Sequence, residues 1–201
     1  MTDANDTLPS HRLEVPIEEA VAWRRQLHQN PELSFREYRT SDMIEDLLNQ
    51  WDIPTYRLTP TSVIGVIEGT AGDPSTGRVI GYRADIDALP IQEETGLPYA
   101  SRTPGVMHAC GHDMHVTSLV GTARQMVRLK DQWSGTLMLI GQPAEEYTGG
   151  AIGMRNDKIY QRFGTPDYAM ALHVSSEIEA GKIVAVEGSP FSGVDSVDIE
   201  I

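Results

Sequence analysis

Met107-His108-Ala109-Cys110-Gly111-His112-Asp113-Met114-His115 is the stretch around which the rest of the chain is organised. It holds the only cysteine and three of the six histidines. It runs straight into an amphipathic segment, 112–129, whose Val116, Leu119, Val120, Ala123 and Val127 recur at helical spacing. Thiolate and neutral imidazole are the donors that suit zinc and its first-row neighbours. Gly111, between Cys110 and His112, permits a turn tight enough for both side chains to face one ion. The helix dipole is expected to stabilise a thiolate at Cys110. A buried cysteine beside helix-capping polar residues is the plainer alternative. Metal binding outweighs it when carboxylate and histidine partners stand elsewhere in the chain.

Upstream of that stretch, Pro16 opens a helix with Glu18 and Glu19 in its first turn, and Asn30-Pro31 closes it. Ile17, Ala20, Trp23 and Leu27 form its apolar stripe. A second helix is expected over 37–50, with Ile44, Leu47, Leu48 and Trp51 facing the core. The period then changes. Strands are expected at 62–68 and 79–83, joined by a hairpin-like loop at 71–77. An ordered loop follows at 93–105. Downstream, Trp133-Ser134-Gly135 turns into a strand at 136–141, a helix covers 150–160, and strands are expected at 168–173 and 183–187. This alternation reads as an α/β fold, a mixed and mostly parallel sheet with helices on both faces. Residues 1–13 read as a flexible lead and 14–187 as the main domain. Gly188-Ser189-Pro190 reads as a linker. Val194 to Ile201 alternates apolar and polar residues, like the first strand of something new.

Composition excludes several classes. The chain has 201 residues, 40% hydrophobic and 22% charged, with a formal net charge of −13. That acidity argues against a nucleic-acid partner, which needs a basic footprint. A single cysteine excludes an internal disulfide and fits a reducing compartment. Neither a secretory signal nor an apolar run of bilayer length is evident, so the cytoplasm is the default expectation.

Three polar groups fall where strands end: Asp85 and Asp87, then Glu145 and Glu146, then His173. In open α/β sheets the ligand crevice lies outside the carboxyl ends of the strands. Each group has a plain explanation alone, as turn residues, a solvated glutamate pair or a satisfied core histidine. Together with Cys110 and His112 they supply a thiolate, imidazoles and carboxylates, the donor set of a zinc-type site. The remaining carboxylates suit hydrolysis, one to take a proton from water and one to orient a histidine.

Gly81-Tyr82-Arg83-Ala84-Asp85-Ile86-Asp87-Ala88-Leu89-Pro90, Met107 to Asp113, Gln142-Pro143-Ala144-Glu145-Glu146 and Ala171-Leu172-His173-Val174 resemble, in that order, the M20 metallopeptidase-like amidohydrolases. Within them they look like the branch of N-acyl-amino-acid amidohydrolases, hippurate hydrolases and auxin-conjugate hydrolases. The resemblance implies a zinc-exopeptidase-like catalytic domain with two divalent metal ions, zinc, manganese, cobalt or nickel. It implies Cys110, His112, Glu146 and His173 as metal ligands, with Cys110 bridging. It makes Glu145 the general base and Asp87 the carboxylate that supports a ligand. Asp85 stands where many other branches carry a histidine ligand. Asp113 is a candidate supporting partner, and His108 and His115 match no family ligand. The implied reaction is hydrolysis of an N-acyl amino acid to a carboxylic acid and a free amino acid.

The family pattern is about twice as long. It inserts a lid and dimerisation domain after a linker like 188–190, through which relatives form dimers or tetramers, and then returns with a last histidine ligand. The expectation is therefore an incomplete catalytic domain ending at the first strand of the lid, a fragment with little activity alone. Two other classes stand beside it. One is an amidase using Cys110 as nucleophile, which leaves Glu145 and Glu146 without a task. The other is a non-catalytic metal-binding fragment.

Overall fold

The computed structural model describes residues 17–73, 75, 77–185, 187 and 188. The expected lead at 1–13, Ser189-Pro190 of the linker and the alternating segment 194–201 lie outside them.

Helix α1 spans Ile17–Gln29 and buries Leu27 and His28. Helix α2 spans Tyr38–Asn49 and buries Ile44 and Leu48 on the expected stripe. Five strands follow the change of period: β1 Thr55–Tyr56, β2 Val63–Thr70, β3 Val79–Asp85, β4 Ser134–Gln142 and β5 Tyr168–Ala171. Helix α3, His112–Arg128, joins β3 to β4 after a long loop, and a 3-10 turn at Lys130–Gln132 completes the crossover. Helices α4, Gly150–Asn156, and α5, Ile159–Phe163, lie between β4 and β5.

The strands form one mixed sheet in the order β1-β2-β4-β3-β5. β2 is antiparallel to β1 and β4, whereas β3 is parallel to β4 and β5. The pairings thus divide evenly and are not mostly parallel. Nor do β2 and β3 form a hairpin, because β4 lies between them. The connection passes over the start of β4, where the Ala71 amide donates to the Trp133 carbonyl at 2.9 Å. A Cβ on Gly77 would stand 2.3 Å from the Gly135 Cα. β4 takes the centre because its Leu137-Met138-Leu139 run is buried on both faces, as an inner strand must be.

The two faces are covered by different helices. Leu27, Ile44, Leu48, Val116, Leu119 and Val120 pack on Val63, Ile67, Tyr82, Ala84, Leu137 and Leu139. On the other face Met154 and Ile159 pack on Ile64 and Met138. The single helix expected at 150–160 is broken at Lys158, whose φ of 67° is left-handed. In an unbroken helix Met154 and Ile159 would point about 140° apart. The break turns both onto the sheet.

Two expectations near the end fail. β5 stops at Ala171, so His173 lies in the loop beyond it and not on the strand. Residues 183–185 are irregular and exposed, Ile183 at 86%. Among the described residues no strand pairs with them, and an apolar pattern without a ladder does not make a strand. No helix among the described residues is long and apolar enough to cross a membrane.

Candidate metal centre

β3, β4 and β5 run parallel, so their carboxyl ends open on one edge of the sheet, and α3 begins there. β3 delivers Asp85 as its last residue and Asp87 just beyond. β4 delivers Glu145 and Glu146 through a turn in which Ala144 has a left-handed φ of 48°. Buried Glu37 holds that turn by accepting the Ala144 amide at 2.8 Å and the Phe35 amide at 2.9 Å. Gly111 reaches its φ of 80° without a Cβ, and a Cβ there would stand 2.2 Å from a Val174 methyl carbon.

His112 lies at the centre, 1% exposed. Its Nδ1 faces Asp87 Oδ1 at 3.2 Å. The other Asp87 oxygen accepts the Ser34 hydroxyl at 2.7 Å and the Glu146 amide at 3.0 Å. Asp87 therefore fixes the imidazole and the glutamate turn together. His112 Nε2 and Glu146 Oε1 are both buried without a hydrogen-bond partner, 3.8 Å apart. Glu145 Oε2 lies 3.9 Å from the same nitrogen, with a more exposed carboxylate than Glu146. Cys110 Sγ lies 3.5 Å from His173 Nε2. One ligand atom from each of Cys110, His112 and His173 falls within 4.8 Å of the others, and the same holds for His112, Glu145 and Glu146. Soft and hard donors converging on an orphaned imidazole nitrogen fit a divalent transition-metal ion. His112 is oriented by a carboxylate, as metal-bound histidines usually are.

The electrostatics follow from crowding. Burial and the charges of Glu146, Asp85 and Glu145 push the Cys110 thiol up to about 12. Without a cation, burial and then the surrounding carboxylates outweigh the helix start, so the thiol keeps its proton and the expected thiolate needs a bound cation to form. Burial also raises Glu146, with Glu145 and Asp87 adding to it and His112 opposing. Burial alone would lower His112, but Asp85, Asp87 and Glu146 raise it. Burial would raise Asp85, yet the His115 hydrogen bond and the charges of His112 and Arg83 bring it down to about 2.

Asp113 lies away from this cluster. It is 0% exposed, 2.7 Å from His28 Nδ1 and 2.9 Å from Arg24 Nε. His28 Nε2 lies 3.2 Å from Glu93, so the imidazole stands between two carboxylates and is raised, chiefly by its bond to Asp113. Glu93 also accepts the Ser101 amide at 2.6 Å, which orders the long loop before α3. His28 and Glu37 escaped sequence reasoning because each is a single polar residue on an amphipathic helix start or stripe, with partners far along the chain. His115 is brought to the centre but uses both ring nitrogens, one toward Asp85 and one toward the Val174 amide.

His108 is buried with both ring nitrogens unpartnered, and burial lowers its imidazole from 6.5 to about 4. Below pH 6.5 the unfolded chain takes up a proton that buried His108 refuses. Stability from this group is therefore full above pH 6.5 and falls toward pH 4, by about 3 kcal/mol in total. His28, raised, acts oppositely: its contribution is complete below 6.5 and is lost as pH rises through its folded value. Urea midpoints at pH 7 and pH 5 check this. His108→Leu is expected to shrink the difference between them by about 2 kcal/mol; an unchanged difference contradicts it.

The chain is 40% identical over 189 residues to an N-acetyldiaminopimelate deacetylase of Bacillus velezensis, covering 92% of this chain and 48% of that protein. It is 40% identical over 185 residues to an N-acyl-L-amino acid amidohydrolase of Geobacillus stearothermophilus, covering 91% and 48%. The chain thus spans about half the length of the curated relatives it matches. The crystal structure of a dinuclear metal-binding peptidase of Bacillus subtilis superposes with a TM-score of 0.72 at 40% identity, covering 79% of this chain and 43% of that one. The sequence model of peptidase family M20/M25/M40 matches residues 81–200, which contain Asp85, Asp87, Cys110, His112, Glu145, Glu146 and His173, and the chain belongs to that family.

Proposed function

We propose that this chain is part of a metal-dependent amidohydrolase that cleaves the amide bond of N-acyl amino acids. The observation that carries the reading is the orphaned Nε2 of buried His112, oriented by Asp87 and faced by Glu145 and Glu146. The names of the relatives, a deacetylase and an N-acyl-amino-acid amidohydrolase, support the substrate class. Cys110, His112, Glu146 and His173 would hold two divalent ions. Bound metal supplies Lewis acidity, polarising the amide carbonyl and making the attacking water easier to deprotonate. Glu145 takes that proton and passes it to the leaving amine. Its open position favours this role over Glu146, whose orphaned oxygen is buried against His112. Asp87 holds His112 in the tautomer that leaves Nε2 for the ion. Residues 14–187 belong to the catalytic domain, and 188–201 lead into a lid and dimerisation domain. A single cysteine suits a cytoplasmic setting, and burial beside three carboxylates, which raises the Cys110 thiol, opposes a nucleophilic role that needs a depressed pKa.

The test strips the purified chain with chelator, then adds zinc, manganese, cobalt or nickel. Bound metal and hydrolysis of N-acetyl and N-benzoyl amino acids are measured. Metal uptake with release of a proton is expected, because the Cys110 thiol must give up its proton to ligate. The chain spans about half the length of its relatives, so hydrolysis is expected to be weak at most, and only in the metal-loaded state. Turnover that survives chelation would favour the cysteine nucleophile. Uptake with no turnover, both in this chain and in a chain of the relatives' full length, would favour the non-catalytic metal-binding reading.

A further inference from the structure

His173 is carried on a loop, where its Nδ1 lies 2.7 Å from the Val174 carbonyl oxygen, so the ring is held through Val174. It lies past the end of β5, the edge strand, whose four residues are all exposed, and its own residue is exposed. The ladder to β3 ends at the pair Ala171–Arg83. Beyond that point the loop is tied to the body by a different route. The Val174 amide donates to His115 Nε2 at 3.0 Å. His115 Nδ1 faces Asp85 Oδ1 at 2.5 Å, and Arg83 Nη1 donates to the other Asp85 oxygen at 2.7 Å. A nitrogen that accepts an amide N–H carries no proton, so the proton sits on Nδ1, toward Asp85. His115 is 3% exposed and Asp85 1%, which holds the chain of bonds away from water. The Val174 side chain closes over Gly111, where no Cβ obstructs it. The ring centroids of His115 and His173 stand 4.8 Å apart.

We propose that His115, locked in one tautomer by Asp85, is the positioning residue that holds the 173–174 loop so that His173 meets Cys110 and His112. His115 touches no ion, since both its nitrogens are used. The loop's backbone exchanges a missing ladder bond for a side-chain acceptor on α3, so the strand end and the helix that carries His112 move as one unit. The inference rests on the reading of His173 as a ligand given above.

Two measurements on the 201-residue chain test it. The first is amide hydrogen exchange in the metal-free protein. The Val174 amide is expected to be protected, and His115→Ala to remove at least tenfold of that protection. The second is zinc affinity by competition with a chromophoric chelator. His115→Ala is expected to weaken binding by about 10–100-fold, in the range of other supporting partners. The double variant with His173→Ala is expected to bind no more weakly than His173→Ala alone. His115→Gln, whose amide oxygen can accept the Val174 N–H, is expected to restore affinity to within a few-fold, which a general loss of stability would not allow. Additive losses with no rescue by Gln overturn the proposal and make His115 itself a ligand. A Val174 amide that exchanges equally fast with and without His115 overturns it whatever the metal does. A chain that binds no ion overturns it through the reading it rests on, and a Val174 amide still protected through His115 then assigns the failure to the metal reading and not to the anchor.

Discussion

Glu145→Gln is expected to lower hydrolysis of N-acyl amino acids by about 10²–10⁴-fold, the usual worth of a positioned general base. Metal content is expected to stay unchanged. Glutamine keeps the size of the side chain and removes only its ability to take a proton. The carboxylate reaches within 3.9 Å of His112 Nε2 from the solvent side of the cluster and lends the protein no hydrogen bond that the turn needs. The turn itself is held by Glu37 and Asp87 through the Ala144 and Glu146 amides. Steady-state rates and metal analysis on the same preparation check the prediction. Turnover within a few-fold of the parent would remove Glu145 from the mechanism. Loss of metal in step with activity would make it a ligand instead.

Asp113→Ala is expected to destabilise the fold by about 3–5 kcal/mol, the cost of breaking a buried ion pair on one side. Asp113 is fully buried and faces both His28 and Arg24. Its removal leaves Arg24 without its ion-pair partner and His28 with Glu93 as its one remaining carboxylate. Arg24 keeps some contact with water, at 24% side-chain exposure, which places the effect toward the lower end of that range. Burial would raise the Asp113 carboxyl, but the His28 bond and the charge of Arg24 hold it below its usual value. Its contribution is thus present above the unfolded value of 3.8 and lost as pH falls through the folded one. Urea unfolding at pH 7 measures the change. A loss under about 1 kcal/mol would show that solvent replaces the pair. The residue adjoins His112, so a large effect on metal affinity is expected to accompany the loss of stability.

Local pattern carried much of the architecture. Helical spacing of Ile44, Leu47 and Leu48, and of Val116, Leu119 and Val120, located α2 and α3 to within a residue or two. The four motifs marked where polar side chains would meet, because strand ends in a parallel sheet share an edge wherever the strands come from in sequence. Strand neighbours were not legible. The 71–77 loop has the composition of a hairpin turn, and nothing local says that β4, more than fifty residues later, inserts between the strands it joins. Pairing energy comes from two strands at once, and a single segment records only its own propensity. The 183–187 segment shows the converse, a strand-like pattern without a neighbour among the described residues.

The candidate site divides the same way. The residues expected to meet there do meet: the structure brings Cys110 and His173, and Glu145 and Glu146, to His112, since the chemistry of a side chain belongs to its residue type. Their electrostatic state was not legible. The helix start at Cys110 suggested a thiolate, while the structure buries it beside Glu146, Asp85 and Glu145 and raises the thiol in the absence of a cation. The supports were equally hidden: Glu37 under the Ala144 turn, His28 between Asp113 and Glu93, and His115 behind Val174. Sequence alone thus determined the long helices, the strands of the sheet centre and the chemistry they carry, because helical and strand period and side-chain chemistry are local properties. Tertiary structure decided strand order, charge state and the partner of each buried polar group, because these depend on what lies across space, at distances that no spacing along the chain encodes.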